Sequence, residues 1–306
     1  MTSEAAALSV PLPQTEGLLA YRVLPVATVL AVIVALWYAA AVWLNAPRVI
    51  EQLEGDAATW TTRDLLHGTW SMGRPVLPAP HQIAEDLLQT VFKTPVHSKR
   101  SLVYHAGVTV SATVLGFLFG AALGVLLAVG IVHLTVLDRS LLPWVIASQT
   151  IPILAIAPMV VVVLGNLGLS GLLPKAIISM YLCFFPVTIG MVKGLRSPDP
   201  LQLDLMRTYS ATPAQVFWKL RWPAATSFLF ASLKVAIAVS LVGAIVGELP
   251  TGAQAGIGAR LLSGSYYGQT IQIWSALIVA SVVGVALVAV VSGIERLVLR
   301  TQGAPA

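Results

Sequence analysis

The sequence predicts an all-α integral membrane protein with about six transmembrane helices, and three observations lead there. Hydrophobic residues make up 57% of the 306 positions and charged residues only 10%, with a mean hydropathy of +0.85. Soluble domains carry roughly 25% charged residues, so a water-soluble fold of this size could not cover its apolar surface. Apolar runs long enough to cross a bilayer, about 20 residues each, recur along the chain. The charges gather mostly between those runs and at their ends.

The predicted spans cover residues 23–44, 102–134, 141–164, 169–192, 224–246 and 271–294. Residues 1–22 lack the basic start of a secretory signal, are interrupted by Pro11 and Pro13, and read as a short disordered cytoplasmic tail; 298–306 read as a second tail. Lys193, Arg196, Arg207, Lys219 and Arg221 lie between the fourth and fifth spans, and Arg22, Arg139, Arg296 and Arg300 fall on the same side if both termini are cytoplasmic. That is the asymmetry of the positive-inside rule, and it accounts for the net charge of +5 through topology rather than nucleic-acid binding. Residues 45–101 are an outer segment that also carries basic residues, but long loops cross largely regardless of charge. Within it Pro75, Pro78 and Pro80 predict a rigid stretch. An amphipathic helix follows, with Ile83, Leu87, Val91 and Phe92 on one face and Glu85 and Asp86 on the other, suited to the outer membrane surface.

Catalytic chemistry is not indicated. His67, His81, His97, His105 and His133 form no metal-binding spacing, no G-x-x-x-x-G-K-[ST] occurs, and the single Cys183 reads as a small buried hydrophobe. The second span holds a ridge of small residues, Ala112, Gly116, Gly120, Gly124 and Ala128, all four apart and so on one helix face. Such a ridge allows close helix packing, within the subunit or at a subunit interface. Pro143, Pro152, Pro158, Pro174 and Pro186 predict bends in the third and fourth spans, as general membrane-helix kinks or as parts of a gate. Lys234 lies about 15 Å into the fifth span, either lining a pathway or snorkelling to the interface. Glu248 ends the same helix too far away to pair with it, so a partner for either must come from another helix or subunit.

The loop at 194–223 is the most informative segment. Ser197 or Asp199 can cap a helix that runs to about Tyr209. Ser210, Ala211, Thr212 and Pro213 then read as a break and restart, and a second short helix reaches about Arg221, stopped by Trp222 and Pro223. Its punctuation resembles the EAA motif of binding-protein-dependent ABC importer permeases. Asp204, Leu205 and Met206 stand at the E-A-A positions, Ser210 at the glycine, Leu220 at the isoleucine, and Trp222 and Pro223 at the closing L-P. The spacing matches throughout, while only Pro223 is identical; a serine replaces the turn glycine. Gln149-Thr150-Ile151-Pro152, Ala155-Ile156-Ala157-Pro158, Phe184-Phe185-Pro186-Val187 and Gly194-Leu195-Arg196-Ser197 are similar to the nitrate/sulfonate/taurine-type branch. The resemblance covers about residues 75–297.

That resemblance implies a type I ABC importer permease fold, with a permease core at 102–297, in a bacterial cytoplasmic membrane. It implies a second permease copy or paralogue, an extracytoplasmic solute-binding protein, and cytoplasmic ABC ATPase subunits that hold ATP and Mg, this chain binding no cofactor and no metal itself. Asp204, Leu205, Met206, Arg207, Ser210, Ala211, Thr212, Leu220 and Pro223 are then the ATPase-coupling residues, and Gln149, Pro152, Lys234, Ser240 and Glu248 the expected pathway residues. The solute would be small and anionic or polar. An ATPase-independent secondary transporter or channel is the competing reading.

Overall fold

Membrane-spanning helices must close their own backbone hydrogen bonds, and the long apolar runs do so here as α-helices. The computed structural model describes residues 15–55, 59–250 and 255–301, and among them there is no strand. In chain order the helices are α1 (Thr15–Gly55), α2 (Thr62–Ser71), α3 (Pro80–Leu87, continued by a π-helical turn at Leu88–Lys93), α4 (Leu102–His133), α5 (Thr135–Ala147), α6 (Ile153–Asn166), α7 (Leu172–Leu195), α8 (Pro200–Thr208), α9 (Pro213–Val216, continued by a π-helical turn at Phe217–Arg221), α10 (Trp222–Gly247), α11 (Ile257–Tyr266) and α12 (Thr270–Thr301). Among the described residues five helices are long and apolar enough to cross a membrane, or six if one bent pair counts as a span.

The chain divides into two units, residues 1–84 and 85–306. In the first, α1 begins at Thr15, inside the stretch expected to be a disordered tail, and runs past the expected end at Leu44 to Gly55. Residues 1–14 of that tail lie outside the described residues. At 41 residues α1 is about 60 Å long, twice the roughly 30 Å hydrocarbon core. Asn45, fully buried on α1, explains how its far end is held. Its amide donates to the Leu77 carbonyl (2.9 Å) and its oxygen accepts from the Val76 N–H (2.7 Å). The Trp37 indole N–H donates to the Pro78 carbonyl (3.0 Å), so the proline-rich stretch is pinned to the helix. A capping box between Thr61 and Asp64 starts α2, an element too short and polar to show as a span.

In the second unit α4 packs along α7, α7 along α10, and α10 against α12. The small-residue ridge of α4 makes the first of these contacts. A Cβ added at Gly120 would sit 2.7 Å from Cys183 Cβ, one at Gly124 2.8 Å from Val187 Cβ, and one at Gly116 would strike Ser179 and the Ala176 carbonyl. The ridge therefore serves packing within the chain, and Cys183 is the buried small hydrophobe expected of it. The π-helical turn at Leu88–Lys93 corrects another expectation. Leu87 and Val91 pack against the cluster of Leu102, Ile257, Ala276 and Ala280, so this part of the amphipathic face covers the helical core rather than a lipid surface; Phe92 alone points outward, 78% exposed.

Three further boundaries differ from the sequence reading. The expected third span is broken: Thr135–Thr150 and Ile153–Asn166 meet at 100°. Pro152 has no N–H to continue the first helix, and Pro158 stands inside the second, where it leaves the Leu154 carbonyl without its helical donor. Trp222 and Pro223 do not stop α9. The Trp222 N–H reaches back five residues to the Phe217 carbonyl, and this π turn takes up the register that Pro223, lacking a donor, cannot hold. Residues Pro213–Gly247 thus form one 35-residue helix. The expected tail at 298–306 is helical to Thr301, with 302–306 outside the described residues, and between the last two spans stands the short α11.

Candidate functional site

The break at the tip of the loop is built by capping chemistry. Asp199 caps α8 by accepting from the Leu201 N–H (2.8 Å), with Pro200 in the first turn. At the other end the Ser210 N–H donates to the Arg207 carbonyl (2.8 Å) and the Ala211 N–H to the Met206 carbonyl (3.0 Å). This pair of bonds is the Schellman closure, which needs a left-handed residue just beyond the helix. That residue is Ser210, at φ +53°, the one non-glycine residue with positive φ among those described. Thr212 then starts α9 with a capping box: its hydroxyl accepts from the Gln215 N–H (3.3 Å), and the Gln215 side chain accepts from the Thr212 N–H (2.8 Å).

The result is an ordered helical hairpin with an apolar outer face. Leu201, Leu205 and Tyr209 recur every four residues on α8 and are 77%, 56% and 78% exposed. Asp204 and Arg207 pair at 3.0 Å on the exposed side of the same helix, while Met206 and Ala211 are half-buried. Leu220 is half-buried and Pro223 exposed beyond the π turn. Phe217 and Trp222 anchor the return strand of the hairpin against the core of Ala128, Ile131, Met191, Leu195 and Ala225, joining its base to α4, α7 and α10. Arg196 at the end of α7 pairs with Asp138 of α5 (2.9 Å) at the same end of the bundle.

The residues expected to line a pathway do not act as a set. Gln149 and Pro152 are exposed at the broken span, whose 3-10 turn is tethered by the Tyr181 hydroxyl donating to the Ser148 carbonyl (2.6 Å). Lys234 pairs with Glu295 of α12 at 2.5 Å, so its charge is matched within the chain rather than snorkelling. Ser240 is fully buried. Its hydroxyl donates to the Thr113 carbonyl (3.0 Å), and Ser179 donates to its carbonyl (2.8 Å), which ties α4, α7 and α10 together.

Glu248, also fully buried, is a structural latch. Helix α11 begins with N–H groups that have no partner within the helix. The Gly258 N–H donates to Glu248 (2.8 Å), the Ile257 N–H to the Thr109 hydroxyl (2.8 Å), and the Gly256 N–H to His105 Nδ1 (2.9 Å). His105 Nε2 lies 2.9 Å from the Lys99 carbonyl, which fixes the proton on Nε2 and leaves Nδ1 to accept. The Thr109 hydroxyl lies 3.0 Å from the carboxylate and Lys175 lies 3.6 Å from it, with the Lys175 ammonium also donating to the Ala255 carbonyl (2.8 Å). The negative charge thus sits at the positive end of the α11 dipole. Gly256, at φ +127°, is required because a Cβ there would strike the Glu248 carboxylate. In α11 itself, burial lowers the pKa of Arg260, and Asp86 opposes that shift. Lys175 was not singled out from the sequence, although a lysine three residues into an apolar span is the signal for a buried partner. A cleft of about 630 Å³ adjoins this latch, lined by Tyr104, Val108, Ser111, Gly171, Pro174 and Lys175 among others.

Comparison with known proteins gives a consistent result. The family model described as binding-protein-dependent transport system inner membrane component matches residues 120–302. The chain is 30% identical over 204 residues to a probable ABC transporter permease protein of Haemophilus influenzae, covering 67% of this chain and 78% of that protein. It is 28% identical over 234 residues to the formylaminopyrimidine transport permease protein of Halalkalibacterium halodurans, covering 74% and 87%. It is 24% identical over 246 residues to the nitrate import permease protein of Leptolyngbya laminosa, covering 77% and 85%.

Proposed function

The chain belongs to the binding-protein-dependent transport system inner membrane components, the permease subunits of ABC importers, and from that premise we propose that its α8–α9 hairpin receives a cytoplasmic ATPase and passes ATP-driven motion to the spans. The observation that supports this reading is the combination on α8. Three apolar side chains, Leu201, Leu205 and Tyr209, stand exposed in register on a helix locked at both ends by caps. Exposed apolar residues on a short helix outside the spans have no use in lipid and suit a groove on a partner. The anchored Phe217 and Trp222 give motion of the hairpin a route into α4, α7 and α10. ATP and magnesium would be held by the ATPase partners, and a second permease copy and an extracytoplasmic solute-binding protein would complete the assembly in the bacterial inner membrane, with both termini cytoplasmic.

The cargo is proposed to be a small anionic or polar solute. The named relatives carry formylaminopyrimidine and nitrate, so the shared architecture tolerates different cargo. The Lys234–Glu295 pair argues against using Lys234 as a free cation for an anionic solute.

The test uses the assembled importer in liposomes. Asp204→Arg reverses the charge that pairs with Arg207 beside the docking face, and Leu205→Asp places a charge on that face. Both are expected to abolish solute-stimulated ATP hydrolysis while the permease remains inserted and folded. Normal stimulation in both variants would sink the coupling role, and transport that persists without any ATPase would favour the secondary-transporter reading.

A further inference from the structure

A second cleft, separate from the hairpin's docking face and from the α11 latch, lies between α5, α7 and α10 at the end of the bundle that carries the hairpin. Its volume is about 500 Å³, and it is lined by Leu142, Ile146, Ile189, Val192 and Phe228 with Lys193, Arg196 and Ser197 at its rim. A volume of this order lies inside the roughly 300–1,000 Å³ range of ligand sites. The distribution of the lining is amphipathic. The apolar side chains come from within the helices, whereas Lys193 stands in the last turn of α7 and Arg196 caps its end.

The two cations are differently committed. Arg196 gives one edge of its guanidinium to Asp138 (2.9 Å) and keeps other N–H donors free. Lys193 has no carboxylate within ion-pair distance among the described residues, and its ammonium rests 6.0 Å from the Phe228 ring centroid at the cleft wall. An ammonium held at the end of an apolar wall, in the last turn of a spanning helix, is matched by one kind of molecule: a negative phosphate joined to a hydrocarbon chain. A small hydrated anion would use the rim but gain nothing from the five apolar residues behind it.

We propose that this cleft binds one anionic phospholipid, with its phosphate between Lys193 and Arg196 and an acyl chain along Leu142, Ile146, Ile189 and Val192. The inference does not depend on what the protein transports or on its coupling to an ATPase. Because Arg196 directly precedes the turn into α8, a lipid there would brace the base of the hairpin.

The experiment is native mass spectrometry of the full chain in detergent, titrated with phosphatidylglycerol or phosphatidylcholine. Phosphatidylglycerol is expected to bind more tightly. Lys193→Gln should weaken its binding about five-fold, the order expected for one basic residue at an anionic surface, and leave phosphatidylcholine unchanged. Lys193→Arg should retain it, Ile189→Trp should reduce it by filling the wall, and Arg300→Gln, away from the cleft, should have no effect. Equal affinity for the two lipids, or no change in Lys193→Gln, would overturn the proposal. Displacement of phosphatidylglycerol by equimolar glycerol phosphate would also overturn it, since the site would then belong to a soluble anion. Unfolding temperatures separate a folding defect from a binding defect, and if Lys193→Gln is destabilised, Ile189→Trp decides alone.

Discussion

Ser210 shows how a single residue can be out of type and in place. Serine carries a Cβ that disfavours the left-handed region by roughly 1–2 kcal/mol, yet the Schellman closure holds it at φ +53°. Ser210→Gly should therefore stabilise the hairpin by about 0.5–1 kcal/mol, seen as a higher unfolding temperature; an unchanged or lower value would show that the turn is strain-free. The spacing of the loop made this position legible, because a helix stop and a restart four residues apart leave room for one such residue. Lys175 was not legible. Its role depends on Glu248, 73 positions away in sequence and brought close only by packing. Removing one partner of a buried pair leaves the other charge uncompensated, at a cost on the order of 3–5 kcal/mol. Lys175→Met alone should destabilise strongly, and Lys175→Met combined with Glu248→Gln should recover much of the loss. Additive losses in that double-mutant cycle would mean that the two charges do not interact.

Among the elements, the ridge on α4 and the two short helices of the loop were legible from period and caps, whereas the broken third span and the full extent of α1 were not. The ridge on α4 was visible as small residues every four positions, and only its partner, α7, had to come from the structure. Gly120→Val would push a side chain into Cys183 and the Met180 carbonyl, both within 3 Å of the added Cβ. We expect a loss at or above about 3 kcal/mol, read as a fall in the unfolding temperature, whereas Gly107→Ala, with open space around it, should be nearly silent. Proline gave the location of disturbances but not their kind. At Pro152 the helix breaks through 100°, while at Pro223 it shifts register through a π turn and continues. At the second site, aromatic anchors at Phe217 and Trp222 hold the helix to the core on both sides of the shift. The ten-residue α11 is too short to span a membrane and depends on side chains of α4 and on Glu248 at the end of α10 for its start.

At the scale of the molecule, the two ends of the bundle differ in character. One carries the hairpin, the basic rim of the second cleft and the aromatic anchors; the other carries the latch, α11 and a cleft lined by backbone turns. Both ends offer exposed tyrosines, Tyr209 at 78% and Tyr266 at 82%, and the native Cys183 is buried, so single cysteines can be placed without a competing thiol. With a membrane-impermeant thiol reagent, Tyr209→Cys is expected to react only from the cytoplasmic side and Tyr266→Cys only from the opposite side. Labelling of both from one side would overturn the orientation read from the basic loops. The continuity of Pro213–Gly247 has a mechanical consequence. A helix of 35 residues is a rod of about 52 Å. One tip stands beside the hairpin turn, and the other presents Glu248 to the start of α11. A lever of that length converts a tilt of about 6° into a displacement of about 5 Å at its far tip. A displacement of that size exceeds the 2.8 Å that separates the Gly258 N–H from the Glu248 carboxylate, so the tilt of this one helix sets whether the latch can stay closed.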